Sequence, residues 1–203
     1  MSDNSKSLYN FGGITAVISG LAMIFLGYWF TFESDKLNEA MHGVGVVTTI
    51  LLVPTIIATT ILLIKDAKNG TLLGIGFATI WIIFELLAHS LQTAPLKEIG
   101  VVIAAETAIG TAIESVWLSL VEAMTLIGLF FFVISAVFYG ISMHKWGNTI
   151  SAILFFLTAI ASIPTFFGVE FDLHLFIRGI TFLFLGGVLI QAQGDSIEEI
   201  WES

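Results

Sequence analysis

Six apolar runs, each about as long as a helix needs to cross a bilayer, are set apart along this chain by short polar breaks. The runs cover 11–32, 43–64, 71–92, 115–143, 149–169 and 173–193. Wound as α-helices at ~1.5 Å per residue, blocks of about 20 residues match the ~30 Å thickness of the hydrocarbon core. A soluble core does not produce six such blocks in 203 residues. The pattern therefore predicts an all-α membrane protein, a six-transmembrane-helix bundle forming a single integral membrane domain with a short tail at 194–203.

The breaks differ in character. Four are short and polar, whereas 93–114 is too apolar for a solvated loop and too short to span twice. A short helix on or dipping into the outer leaflet between the third and fourth helices fits it, with Gly100 and Gly110 as hinges. The fourth helix then has to tilt or project beyond the bilayer. Pro54 inside the second run and Pro164 late in the fifth are expected to kink their helices rather than end them. Ala16/Gly20, Gly70/Gly74 and Thr158/Ser162 place small residues four apart, a spacing that permits close helix approach. In the tail, Ser196 and Glu199 have capping-box spacing, and Ile197, Ile200 and Trp201 share one face of an expected short interfacial helix.

Charge placement gives an orientation. Lys6, Lys65, Lys68 and Lys145 fall on one side of the expected topology, Lys36 and Lys97 on the other. The positive-inside rule then puts both termini in the cytoplasm of a multi-pass cell-membrane protein. The run at 11–32 is long for a signal peptide and is followed by no small-residue cleavage site, so it is read as a retained helix. The net charge of −9 argues against nucleic acid and against docking on anionic lipid through a basic patch. The absence of cysteine excludes disulfides, thiolate metal sites and cysteine nucleophiles. Nucleotide, phosphate-loop, catalytic-triad and haem-attachment motifs are all lacking.

What remains to carry chemistry is a set of ionisable residues in the outer half of the expected spans. Glu85 and His89 share one face of the third helix, and Glu114 and Glu122 lie on the fourth. His174 and Arg178 lie one turn apart on the sixth, and His42 begins the second. Glu106 belongs to the segment before the fourth helix. A charge in mid-helix costs roughly 2.5–3.5 kcal/mol on insertion scales, so each must face protein, water or a partner. Glu85, Glu122 and Arg178 are expected at similar depth, where one arginine cannot neutralise two carboxylates. Three readings follow. Either Arg178 is a lock between helices; or Glu85, Glu122, Arg178 and Glu114 form an acidic pocket for a small polar or cationic ligand; or Glu85, His89, Glu122 and His174, with Glu114 or His42, hold zinc or iron.

The stretch 105–163, with "IGTAIESVWLSLVEAMTLIGL" entering the fourth helix and "FYGISMHKWGN" leaving it, resembles a family of small six-helix prokaryotic membrane proteins known only as a domain of unknown function. The resemblance implies the six-helix topology and brings no activity or catalytic residues. The functional expectation is an outward-facing intramembrane pocket that binds or transports a small polar or cationic ligand. The alternatives are an accessory subunit of a larger membrane complex and a metal-dependent membrane enzyme. Expected partners are the lipid bilayer and a homodimer or larger membrane complex.

Overall fold

The computed structural model describes residues 3–32, 38–103, 105, 107–168 and 173–192, without the side chains of 3–5 and 94–98. Lys36, the side chain of Lys97, Glu106 and the tail at 194–203 lie outside the described residues. The helices are α1 (Asp3–Phe32), α2 (Glu39–Leu63), α3 (Lys68–Leu91), α4 (Ala94–Ile103), α5 (Ala108–Lys145), α6 (Thr149–Ser162) and α7 (Leu173–Gln191), with a 3-10 segment Ile163–Phe167 after α6. Six of these segments are long and apolar enough to cross a membrane. The chain is an all-α, multi-pass integral membrane protein.

The spanning helices close into a ring in chain order: α1 packs on α2, α2 on α3, α3 on α5, α5 on α6, α6 on α7, and α7 returns to α1. Short connections dictate most of these neighbours, because two helices joined by a few residues lie antiparallel and adjacent. The α5–α6 turn shows how. Gly147 takes φ +95°, and Asn148 N–H donates to the Met143 carbonyl at 2.9 Å, ending α5. Asn148 Oδ1 then accepts from Ser151 N–H at 3.0 Å and starts α6.

No short connection joins α1 to α7, and glycine does that work instead. Gly13, Gly20, Gly179 and Gly186 stand at seven-residue intervals on the two helices and face each other in antiparallel register. A Cβ on Gly20 would lie 2.7 Å from the Gly179 carbonyl oxygen, and one on Gly13 would lie 2.8 Å from that of Gly186. Each glycine also receives an aliphatic side chain from the other helix: Ile190 on Gly13, Leu183 on Gly20, Ile24 on Gly179 and Val17 on Gly186. In lipid, where tails are as apolar as leucine, close backbone packing of this kind drives association.

The bundle is apolar outside, and its mainly apolar core carries buried hydroxyl groups. Phe11, Ile14, Ile18, Leu21 and Phe25 are exposed along one face of α1, where lipid would meet them. Buried hydroxyls tie the helices together: Thr15 to Thr55 at 3.0 Å, Thr60 to Tyr139 at 2.9 Å and Thr158 to Thr181 at 2.7 Å. Ser135 donates to the Gly74 carbonyl at 2.9 Å, crossing from α5 to α3. The three small-residue pairs expected at interfaces lie in them. Gly74 faces the Tyr139 ring, Gly70 faces Ser142, and Ala16 and Ser162 are fully buried.

One expectation is corrected. Pro54 sits in an uninterrupted α2, but Pro164 ends α6 instead of kinking it. Proline lacks the N–H that the next α-turn requires and its ring obstructs the carbonyl four residues back, so the chain tightens into the 3-10 segment. The short helix expected between the third and fourth spans is present as α4, and from Ala108 the chain already belongs to an α5 that is 38 residues long. The two form a hairpin so close that a Cβ on Gly110 would lie 2.6 Å from the Val102 carbonyl oxygen.

Candidate functional site: a buried ion pair and a histidine pair

Arg178 reaches from α7 across the inside of the ring. Its guanidinium Nη1 donates to Glu85 Oε1 on α3 at 3.2 Å, and its residue is only 1% exposed. The second Glu85 oxygen accepts from Trp81 Nε1 at 3.0 Å, one helical turn away on α3. Arg178 also lies 4.0 Å from the centre of the Phe132 ring on α5 and 5.2 Å from that of Trp81. Desolvated cation–π contacts of this kind are each worth about 2 kcal/mol. One guanidinium therefore ties together α3, α5 and α7, although α7 does not pack along α3. Trp81 itself is 1% exposed.

Glu122 does not join this pair, which corrects the expectation of an Arg178 shared between two carboxylates. Gly128 is the α5 residue level with Glu85, since a Cβ on it would lie 3.7 Å from the Glu85 nitrogen. Glu122 stands six residues nearer the start of α5, about 9 Å along the axis, and its side chain is exposed. Glu114 lies farther out again and is half-buried. Neither has a hydrogen-bond or ion-pair partner among the described residues. Arg178 is ion-paired with Glu85, and Glu122 lies outside that pair.

The four residues expected to bind metal, Glu85, His89, Glu122 and His174, are not brought together either. Among the described residues no three His, Asp or Glu side chains are grouped so as to hold a metal ion. Glu85 is committed to Arg178 and Trp81. His174, buried on α7, has its Nδ1 3.4 Å from the Thr165 hydroxyl of the 3-10 segment. Below the ion pair a cavity of about 10 Å³ is lined by Thr59, Trp81, Ser135 and Tyr139 among others. That is room for about one water molecule.

His89 has a different partner. Its Nδ1 is 3.3 Å from Nδ1 of His42, the residue expected to begin the second helix and an optional member of the expected metal set. The two rings are 5.6 Å apart between centres. Phe30 of α1 stacks on His42 at 5.4 Å with an interplanar angle of 30°. His89 lies flat against the backbone of α2 at Gly45, where a Cβ would fall 2.6 to 2.7 Å from three of its ring atoms. A signal for this pair was present in the sequence. His42 lies 22 residues before Ile64 and His89 22 residues after Ala67, the two edges of the α2–α3 turn, so a symmetric hairpin sets them level.

Comparison of the chain with protein-family models, with curated proteins and with solved structures gave no match.

Proposed function

We propose that the chain is a subunit of a larger membrane complex, and that the α4–α5 hairpin is its docking arm. The observation that carries this reading is the length and surface of α5. Its 38 residues measure about 57 Å at ~1.5 Å per residue, against a hydrocarbon core of ~30 Å. With Lys145 at one membrane boundary, nearly the first half of α5 rises past the other. That portion is not dressed for water: Ile109, Ile113, Val116, Leu118 and Leu120 are exposed. Thr111, Ser115, Leu118, Glu122 and Thr125, all exposed, fall within about 100° of arc, with the half-buried Glu114 at the edge. An apolar surface outside the hydrocarbon, bearing unpaired carboxylates, calls for a protein cover.

Charge selects the kind of partner. A second copy docking by two-fold symmetry through this face would set its acidic stripe against itself, and like charges across an interface cost several kcal/mol. A different membrane protein, presenting an apolar helix with lysine or arginine opposite Glu114 and Glu122, satisfies both features. The reading as an acidic ligand pocket has less support, because the buried carboxylate is neutralised and the neighbouring cavity has room for only about one water.

A photo-crosslinking side chain at Ser115 or Ser119 is expected to trap a partner protein in the native membrane. The same side chain at the lipid-facing Ile180 is expected to trap none. Reversing Glu114 and Glu122 to lysine should cut crosslinking at least tenfold without lowering the melting temperature, and an acidic substitution at the basic site on the crosslinked partner should restore it. Equal crosslinking in the reversed variant would remove the arm's role.

A further inference from the structure

We propose that the His42–His89 pair is a proton-operated latch between α2 and α3, closed while the two imidazoles share one Nδ1 proton and opened when both are fully protonated. The proposal does not depend on the docking arm. It rests on how the two nitrogens meet, on how the rings are held, and on where along the helices they stand.

The nitrogens meet head-on. The ring centres are 5.6 Å apart, which is the 3.3 Å between the Nδ1 atoms plus the two ring radii, so both nitrogens lie close to the line joining the centres. One N–H fits in that gap, donated by one imidazole to the bare Nδ1 of the other. Two do not. With N–H bonds of ~1.0 Å, a second proton would face the first at about 1.3 Å, and two imidazolium charges would add their repulsion. The closed pair therefore holds at most one positive charge, whereas separated imidazoles each take a proton at the ordinary pKa of about 6.5.

The rings cannot easily turn out of line. Phe30 of α1 covers one face of His42, and His89 lies against the α2 backbone at Gly45, where a bare Cβ would fall 2.6 to 2.7 Å from three ring atoms. Relief of a doubly protonated pair comes instead from parting the helix ends. His42 is in the first turn of α2 and His89 in the last turn of α3, where few backbone bonds have to be broken. Five residues beyond His89 the chain enters α4, so parting the latch also shifts the base of the α4–α5 hairpin.

Other ionisable groups surround the pair. Among the described residues, α3 brings Glu85, one turn deeper, and α7 brings Arg178, and these two are ion-paired. His174 stands one turn from Arg178 on α7, with its Nδ1 on the Thr165 hydroxyl. On α2 the nearest is Glu39, exposed in the first turn, and α1 supplies the uncharged Phe30. The direction of the response follows from the proton count. The open pair binds one more proton than the closed one, so acid favours opening. For one excluded proton at the ordinary imidazole pKa, the open-to-closed ratio rises about thirtyfold from pH 8 to pH 5.

The test uses the full chain in mild detergent. The chain has no cysteine, so A40C/S90C places just two spin labels, on exposed positions beside the latch. One narrow distance between them is expected at pH 8, and a longer one is expected to gain on it about thirtyfold by pH 5. H174Q should leave that response unchanged. H42Q/H89Q, which keeps hydrogen-bonding side chains but titrates at neither position, should abolish it. Nitrogen NMR of the unsubstituted chain, with isotopically labelled histidine, gives a second reading that needs no variant to fold: a coupling carried across the Nδ1–H···Nδ1 bridge at pH 8 and lost at pH 5. The same distances at both pH values, a response that persists in H42Q/H89Q, or a bridge coupling kept at pH 5 overturns the latch.

Discussion

Arg178→Met is expected to destabilise the folded bundle by about 3–5 kcal/mol, the range for removing one partner of a buried pair. Substitution strands the Glu85 carboxylate, which keeps only the Trp81 indole as a donor. It also removes the cation from the Phe132 and Trp81 faces, and with it the bridge from α7 to α3 and α5. The comparison with a double variant makes the cause readable. In Arg178→Met/Glu85→Gln both charges of this pair are removed, and the amide can still accept from Trp81. Replacing a buried pair by neutral groups is often close to neutral in cost, so this variant should recover most of the loss. The measurement is the unfolding midpoint in detergent for the two single variants and the double. A neutral Arg178→Met would mean that the guanidinium does not lock the helices. A double variant as unstable as Arg178→Met would place the loss in packing rather than charge.

The second large effect belongs to the glycine seam. Gly20→Val should destabilise the bundle by about 3 kcal/mol, the upper end of the usual range for overpacking. The obstruction is backbone and cannot rotate aside: a Cβ alone would sit 2.7 Å from the Gly179 carbonyl oxygen and 2.9 Å from the Leu183 nitrogen. Gly186→Val meets the Gly13 carbonyl oxygen at 2.7 Å in the same way. Gly76→Ala and Gly187→Ala are the matched controls, since nothing lies within 4 Å of their added Cβ. They should be neutral, or stabilising by up to about 1 kcal/mol through helix propensity. The same unfolding midpoints decide this. Equal losses at Gly20 and Gly76 would show that the cost is general to glycine replacement and that α1 and α7 are not held by close approach.

Both effects concern features that the sequence displayed without explaining. The seven-residue glycine spacing on the first and last helices was visible in the chain, but nothing local says that those two helices meet. Glu85 and Arg178 were legible as buried charges, because an ionisable residue inside an apolar run must find a partner. Their pairing was anticipated; the inclusion of Glu122 was not correct. Depth counted from the expected ends of the runs put Glu122 level with Glu85, since the fourth run was taken to begin at 115, whereas α5 begins at Ala108. A helix that overshoots its neighbours carries its residues with it, and an assumption of equal spans misplaces them.

The sequence by itself determined the class of the protein and its spans. Those properties depend on runs of apolar side chains and on the need of every backbone polar group in lipid for a partner within its own helix. Both are local. The closing of the ring, the separation of Glu122 from the ion pair, and the meeting of His42 with His89 against Gly45 were decided only by the tertiary structure. Each depends on the rotation and relative height of helices distant in the chain, and these are set by which small residues let two backbones approach.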